Sequence, residues 1–300
     1  MSTPNPVREG IERLSLYFVE LPTRQGVLAR RALGRPAPGD DALIRRLLEE
    51  MRGETRVDGS IAGAVVPTIW RAHELMDLGY RGDETSCARI MGWILELQQK
   101  PGAFSQGCTP TRHAHRVCEH FISGFFSPAP PEQRLAPVML PNGKVFRAEP
   151  AARFAISCLA LRAALRGRVE RRPPVDQHLA SLVQLQEQWK DWTGYFAADT
   201  IVAGIHALAL VSQPHGGILS RLGSIIAAHQ AEDGTWPNAD LFHTLEALQA
   251  LGTVEAHAAV RRAVPSILAR QRFDGSFGPT AQQERALIAL RSLLWAEQES

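Results

Sequence analysis

The sequence predicts an all-α protein built as a closed ring of six helical hairpins. Three observations predict it. A Gln-x-x-x-Gly-x-aromatic motif recurs, each copy is followed by an apolar helical stretch, and strand signals are nearly absent. Full copies are "QQKPGAF" (Gln98, Gly102, Phe104), "QAEDGTW" (Gln230, Gly234, Trp236) and "QRFDGSF" (Gln271, Gly275, Phe277). Weaker copies keep only glycine and a large apolar residue: Gly59 with Ile61, Gly143 with Phe146, and Gly194 with Phe196. The six glycines are 43, 41, 51, 40 and 41 residues apart. A period of roughly 40 residues is the mark of a repeat architecture.

The elements follow in order. Behind the glycines come "VVPTIWRAHELMDLG", "RVCEHFISGFF", "ARFAISCLALRAAL", "DTIVAGIHALALV", "DLFHTLEALQALG" and "ERALIALRSLLWA", several of them rich in Ala and Leu. Such helices are apolar around most of their circumference and suit an inner ring. Ahead of most glycines run "DDALIRRLLEEMRG", "DETSCARIMGWILELQQ", "VDQHLASLVQLQEQW", "GILSRLGSIIAAHQ" and "EAHAAVRRAVPSILARQ", whose charges fall on one side, as on a solvated outer face. The third unit is the exception: "PAPPEQRLAPVMLPNG" is proline-rich, so its outer helix is expected short or lost. No sustained period-2 run occurs, and Asn142-Gly143 follows a proline, so no hairpin is expected there. Six units without a polar capping helix at either end favour closure. The repeats span about residues 40 to 297 of a single domain, with residues 1–39 as an N-terminal helical extension.

Composition narrows the function. Hydrophobic residues are 45% and charged residues 21%, as in a globular protein. Lys plus Arg is 33 against 31 for Asp plus Glu, a net +2 that argues against nucleic acid as a partner. The opening "MSTPNPVREGIERLSLYF" lacks a basic segment ahead of an apolar core, and no apolar run reaches about 18 residues. Cys87, Cys108, Cys118 and Cys158 show no CxxC spacing. A cytoplasmic protein without a transmembrane segment is expected, with peripheral membrane contact left open.

Gln-x-x-x-Gly-x-Trp/Phe loops between inner and outer helices resemble those of the terpenoid cyclase and protein prenyltransferase superfamily. The resemblance implies an α6/α6 toroid and a hydrophobic, isoprenoid-like small-molecule substrate in a central cavity. The loops themselves are architectural: glycine permits a tight turn, the aromatic covers a helix end, and the glutamine amide satisfies free backbone groups at helix ends.

Residues opening the inner helices would sit at one mouth of the cavity, where helix N-termini favour an anion. They are Thr68, Arg112, His113, His115, Arg153, Asp199, Asp240, His243, Gln283, Glu284 and Arg285. "DLFHTLEAL" looks like the helix start that supplies a zinc-binding histidine in prenyltransferase β subunits, and His243 matches it. Asp199 matches the aspartate of the family's Asp-x-Cys pair, but Ile201 stands where the cysteine would be, which puts protein prenylation in doubt. Asp199, Asp240 and His243 are the catalytic candidates. The other reading makes both aspartates helix N-caps and His243 a hydrogen-bonded inner-helix residue. "CTPTRHAHRVCEH" is the densest set of metal-ligand types, so Asp199, His243, His113 and His115 are candidate ligands for a divalent zinc or iron. A polar wall for an anionic ligand is the alternative there.

No Asp-x-Asp-Asp acid and no Asp-Asp-x-x-Asp magnesium motif occurs, and Asp40-Asp41 reads as a helix start. Trp70, Arg112, Phe121, Phe125, Phe154 and Phe242 are the expected substrate-binding residues, aromatic faces being suited to carbocations. The expectation is a terpene cyclase-like or prenyltransferase-like enzyme acting on an isoprenoid or other long apolar substrate. The alternatives are a non-catalytic lipid- or partner-binding toroid, or a metal-dependent enzyme of different chemistry on the same scaffold.

Overall fold

The structure, a computed structural model, describes residues 5–82, 84–97, 134–189, 192, 198–211 and 217–298. The chain divides into two compact units. One comprises Met1–Glu50, Pro141–Gly143 and His215–Ser300, the other Met51–Leu140 and Lys144–Pro214.

In the second unit an apolar core is built from α4 (Val65–Asp77), α6 (Glu149–Arg166) and α8 (Ala198–Leu208), flanked by α5 (Thr85–Glu96) and α7 (Pro173–Leu185). All eleven residues of α8 are buried, and α6 buries the run Ala152 to Leu165. A helix buried all round has no polar face to keep in water, as the Ala- and Leu-rich pattern predicts. Gly204 lets α8 approach its neighbours: a Cβ there would lie 2.4 Å from the Trp189 ring and 3.3 Å from that of Phe154.

The proline-rich third unit corrects one expectation. Where the sequence predicts no hairpin, its described residues form a short antiparallel one, β1 (Val138–Met139) with β2 (Val145–Phe146), pairing Val138 with Phe146 and Met139 with Val145. Pro141 does not break this hairpin. A three-residue loop takes a fixed-φ residue first and a left-handed one last, which Pro141-Asn142-Gly143 supplies, Gly143 having φ +84°.

In the first unit the outer helices α9 (Ile218–Ala228) and α11 (Val254–Arg270) alternate with the inner helices α10 (Leu241–Leu251) and α12 (Gln282–Glu297). Helices α1 (Pro6–Phe18), α2 (Arg24–Ala32) and the start of α3 (Asp40–Glu54) complete it. The repeat loops show why their residues recur. Asp233 accepts hydrogen bonds from the backbone and hydroxyl of Thr235, and Asp274 from the backbone of Ser276, so each Asp-Gly-Ser/Thr closes a local turn. Gly234 has φ +80°, and a Cβ there would lie 2.2 Å from the Arg262 carbonyl oxygen.

The glutamine works differently from expectation. Gln230 Nε2 donates to the carbonyls of Gly234 and Ala259, the latter within α11 rather than at a helix end, while Oε1 accepts from Arg262. Trp236 donates to the carbonyl of Ile226 in the last turn of α9. The next loop repeats the pattern on α1: Gln271 donates to the carbonyl of Gly10 and accepts from Arg13. Ala259 and Arg262 are three apart, as are Gly10 and Arg13. Helix α1 therefore meets loop 271–277 as α11 meets loop 230–236, so the N-terminal segment acts as a further outer helix.

Candidate functional site

Two polar groups stand at the starts of inner helices, one in each unit. In the first unit the segment after Trp236 turns into α10 with Asp240 as N-cap, its Oδ1 accepting from the backbone of Phe242 and His243. This satisfies donors that the first helical turn leaves free. The second carboxylate oxygen accepts from Arg285 Nη2 at 3.1 Å, reaching from the first turn of α12. Arg285 also lies over the Phe242 ring, 5.0 Å from its centroid, and donates through Nε to the Asn142 carbonyl. Phe277 meets Phe242 edge to face, with centroids 5.3 Å apart.

Asn142 extends this network inward. Its amide nitrogen lies 3.1 Å from His243 Nδ1 and donates to Glu246 Oε2 at 2.9 Å. A carboxylate needs a donor, which fixes the amide orientation. Both amide hydrogens are then used, and His243 accepts at Nδ1, so its ring proton sits on Nε2. His243 is 1% exposed and Asn142 3%.

Beside this network opens a cavity of about 480 Å³, lined by Arg270, Arg272, Arg285 and Asp240 together with Trp236, Phe242 and Phe277. Among the described residues its charged lining carries three guanidinium groups against one carboxylate. The α10 N-terminus adds partial positive charge, so the site suits an anion with an apolar body.

In the second unit Asp199 lies in the first turn of α8 and pairs with Lys144, which also sits 5.5 Å from the Phe146 ring centroid. Arg153 of α6 pairs with Glu149 at 2.5 Å, and Glu149 also accepts from the backbone of Leu135 and Ala136. Phe154 is fully buried, and the Trp70 ring lies tilted against that of His73, centroids 5.5 Å apart. Cys158 is buried within α6, and that burial pushes its thiol well above the ordinary range.

The structure thus brings Asp240, His243 and Phe242 together and adds Asn142, Glu246, Arg270 and Arg272, which sequence reasoning passed over. Glu246, three residues after His243 on one helix face, could have been found from helical spacing. Arg112, His113, His115, Phe121 and Phe125 lie outside the described residues. Among the described residues no group of three or more His, Cys, Asp or Glu is placed to hold a metal ion. Asp199 is paired with an ammonium, Asp240 with a guanidinium and its own helix, and His243 Nδ1 with an amide. The other two candidate ligands, His113 and His115, lie outside the described residues.

No family model and no curated protein matches the chain. Solved structures do. A type II terpene cyclase, MstE from Scytonema, superimposes with a TM-score of 0.58 at 14% identity, covering 99% of this chain and 100% of that one. Its variant in complex with geranylgeranyl dihydroxybenzoate as substrate gives 0.59 at 14% identity, covering 99% of each chain. A further variant holds merosterolic acid A as product, again with a TM-score of 0.59 at 14% identity, over 99% of this chain and 98% of that one. A protein from Actinoplanes gives 0.53 at 15% identity, covering 95% and 88%.

The fold is similar to that of the solved MstE structures. The all-α class read from the repeats is therefore borne out, and the chain is terpene cyclase-like at the level of fold. Among the described residues no helix is long and apolar enough to cross a membrane.

Proposed function

We propose that this chain is a terpene cyclase-like enzyme that takes an isoprenoid, or another long apolar chain, carrying an acidic head. The observation that supports this reading is the arginine-lined cavity at the start of α10, with Phe242, Phe277 and Trp236 in the same wall. Guanidinium groups pair bidentately with carboxylate or phosphate, and aromatic faces accept hydrocarbon and stabilise positive charge. The reading is in keeping with the geranylgeranyl dihydroxybenzoate held as substrate in the MstE complex.

Within this reading Arg285 binds the head and Asp240 fixes its orientation. His243, neutral with its proton on Nε2, is the candidate for proton movement within the network. Asp199 is the buried carboxyl candidate of the second unit. No Asp-x-Asp-Asp run is present, so the acid that starts cyclisation would differ from the family's.

Incubation with geranylgeranyl dihydroxybenzoate, followed by liquid chromatography with mass detection, tests the proposal. Cyclisation gives a product of unchanged mass and new retention time, and Arg285→Ala weakens substrate binding by about tenfold or more. The pairing of Asp199 and Asp240 with cations favours one other reading, a lipid-binding toroid. Saturable binding without turnover would establish that reading, and absence of both would sink the proposal.

A further inference from the structure

A second basic cavity lies wholly within the second unit, at the C-terminal ends of α4 and α6. Its volume is about 740 Å³, and its lining includes Met76, Tyr80, Arg81, Arg166, Arg168 and Val169. Three arginines line it, one of them paired with Asp77, and among the described residues no carboxylate lines it. The walls are fixed to each other, since the loop after α4 touches the end of α6 backbone to backbone. A Cβ on Gly82 would fall 2.3 Å from the Gly167 carbonyl oxygen.

Arg166 is anchored. Its Nη2 donates to Asp77 at 2.6 Å and its Nη1 to His73 Nδ1 at 3.1 Å, while His73 Nε2 donates to the Leu159 carbonyl. Arg168 is unusual. The backbone nitrogens of Arg168 and Val169 bond the carbonyls of Leu165 and Ala164, the paired pattern that ends a helix through a left-handed residue. Helices α2 and α4 end the same way, on Gly34 at φ +67° and Gly79 at φ +102°. Helix α6 alone of these three places a side chain there, Arg168 at φ +57°. Glycine is the residue this position favours, and a strained exception on a cavity wall points to a role for its side chain.

We infer that this cavity binds a phosphorylated small molecule, its phosphate on the Arg81, Arg166 and Arg168 guanidinium groups and its body against Tyr80, Met76 and Val169. Arginine recognises phosphate through two parallel hydrogen bonds, and the volume exceeds what inorganic phosphate alone would fill. The site involves neither Arg285 nor α10, and it does not depend on the function proposed above.

Calorimetric titration of the full chain with inorganic phosphate and with phenyl phosphate tests it. In the Arg285→Ala chain, which lacks the head-binding guanidinium of the first unit's cavity, phenyl phosphate binds at one site and more tightly than inorganic phosphate. Arg168→Gly and Arg81→Ala each weaken it about tenfold or more, the scale of one lost charge-assisted bond. Arg168→Gly should raise the melting temperature, so lost binding would not reflect lost folding. Arg168→Lys retains partial affinity. The inference is overturned if no saturable binding occurs, in which case the arginines serve only to balance the helix ends. It is equally overturned if binding survives Arg168→Gly and Arg81→Ala, or if Arg285→Ala is the variant that abolishes it.

Discussion

Replacing Gly234 with alanine should destabilise the protein by about 2–4 kcal/mol, and two matched variants separate the causes. At Gly252 the backbone is left-handed, φ +61°, and a Cβ would meet nothing within 4 Å. Left-handed strain on alanine costs roughly 1–2 kcal/mol, while losing glycine's unfolded-state freedom returns about 0.4–1 kcal/mol. Gly252→Ala should therefore cost about 1 kcal/mol. Gly234 carries the same strain at φ +80°, but its Cβ would also sit 2.2 Å from the Arg262 carbonyl oxygen and 2.9 Å from the Ala263 Cα. Helix α11 would have to move by about 1 Å to restore ordinary contact. Overpacking of this kind adds roughly 1–3 kcal/mol. At Gly275, where φ is +84°, the nearest atom is the Arg13 carbonyl oxygen at 2.8 Å, so a total near 2 kcal/mol is expected. Urea denaturation followed by far-ultraviolet circular dichroism measures all three. The order Gly234, Gly275, Gly252 is the expected result. If Gly234→Ala costs no more than Gly252→Ala, the repeat glycines are not there for close helix approach, and the account of the loop is wrong.

Other expectations follow from the buried pairs. Arg30 grips Asp40 with both partners buried, and its hydrogen bonds hold the Asp40 carboxyl below the usual carboxylate range. Because the folded-state value is depressed, the stabilisation is whole above about pH 4 and is lost as pH falls through the folded value. Asp40→Asn should cost about 3 kcal/mol at pH 7, and its deficit against the parent should shrink in denaturation curves taken below about pH 4. A deficit independent of pH would contradict the pairing. Asn142→Ala removes the donor shared by His243 and Glu246, with an expected cost of about 1–3 kcal/mol. Nitrogen-15 spectra of the His243 ring should shift with it, and an unchanged ring spectrum would count against the network. Cys87 and Cys158 are both buried, so alkylation followed by peptide mapping should label them only after unfolding. Rapid native labelling of Cys158 would refute the packing of α6.

The repeat was legible because its chemistry is local. Asp233-Gly234-Thr235 and Asp274-Gly275-Ser276 form their turns from adjacent residues, and helical periodicity separates α10 and α8 from amphipathic α9 without knowledge of any partner. Glycine spacing then set the number of units. A proline ahead of Asn142-Gly143 does not prevent a hairpin, since Pro141 starts the turn that Gly143 finishes.

The sequence by itself determined the all-α repeat, the distinction between inner and outer helices, and the placing of Asp240 and His243 at a helix start. Tertiary structure decided their roles. Asn142 meets His243 across 101 residues, Lys144 meets Asp199 across 55, and Arg285 meets Asp240 across 45. It likewise set α1 against loop 271–277. The physical reason is one of range. Turn and helix chemistry act between residues a few positions apart, whereas an ion pair between repeats depends on how separately formed helices pack, which no local pattern encodes.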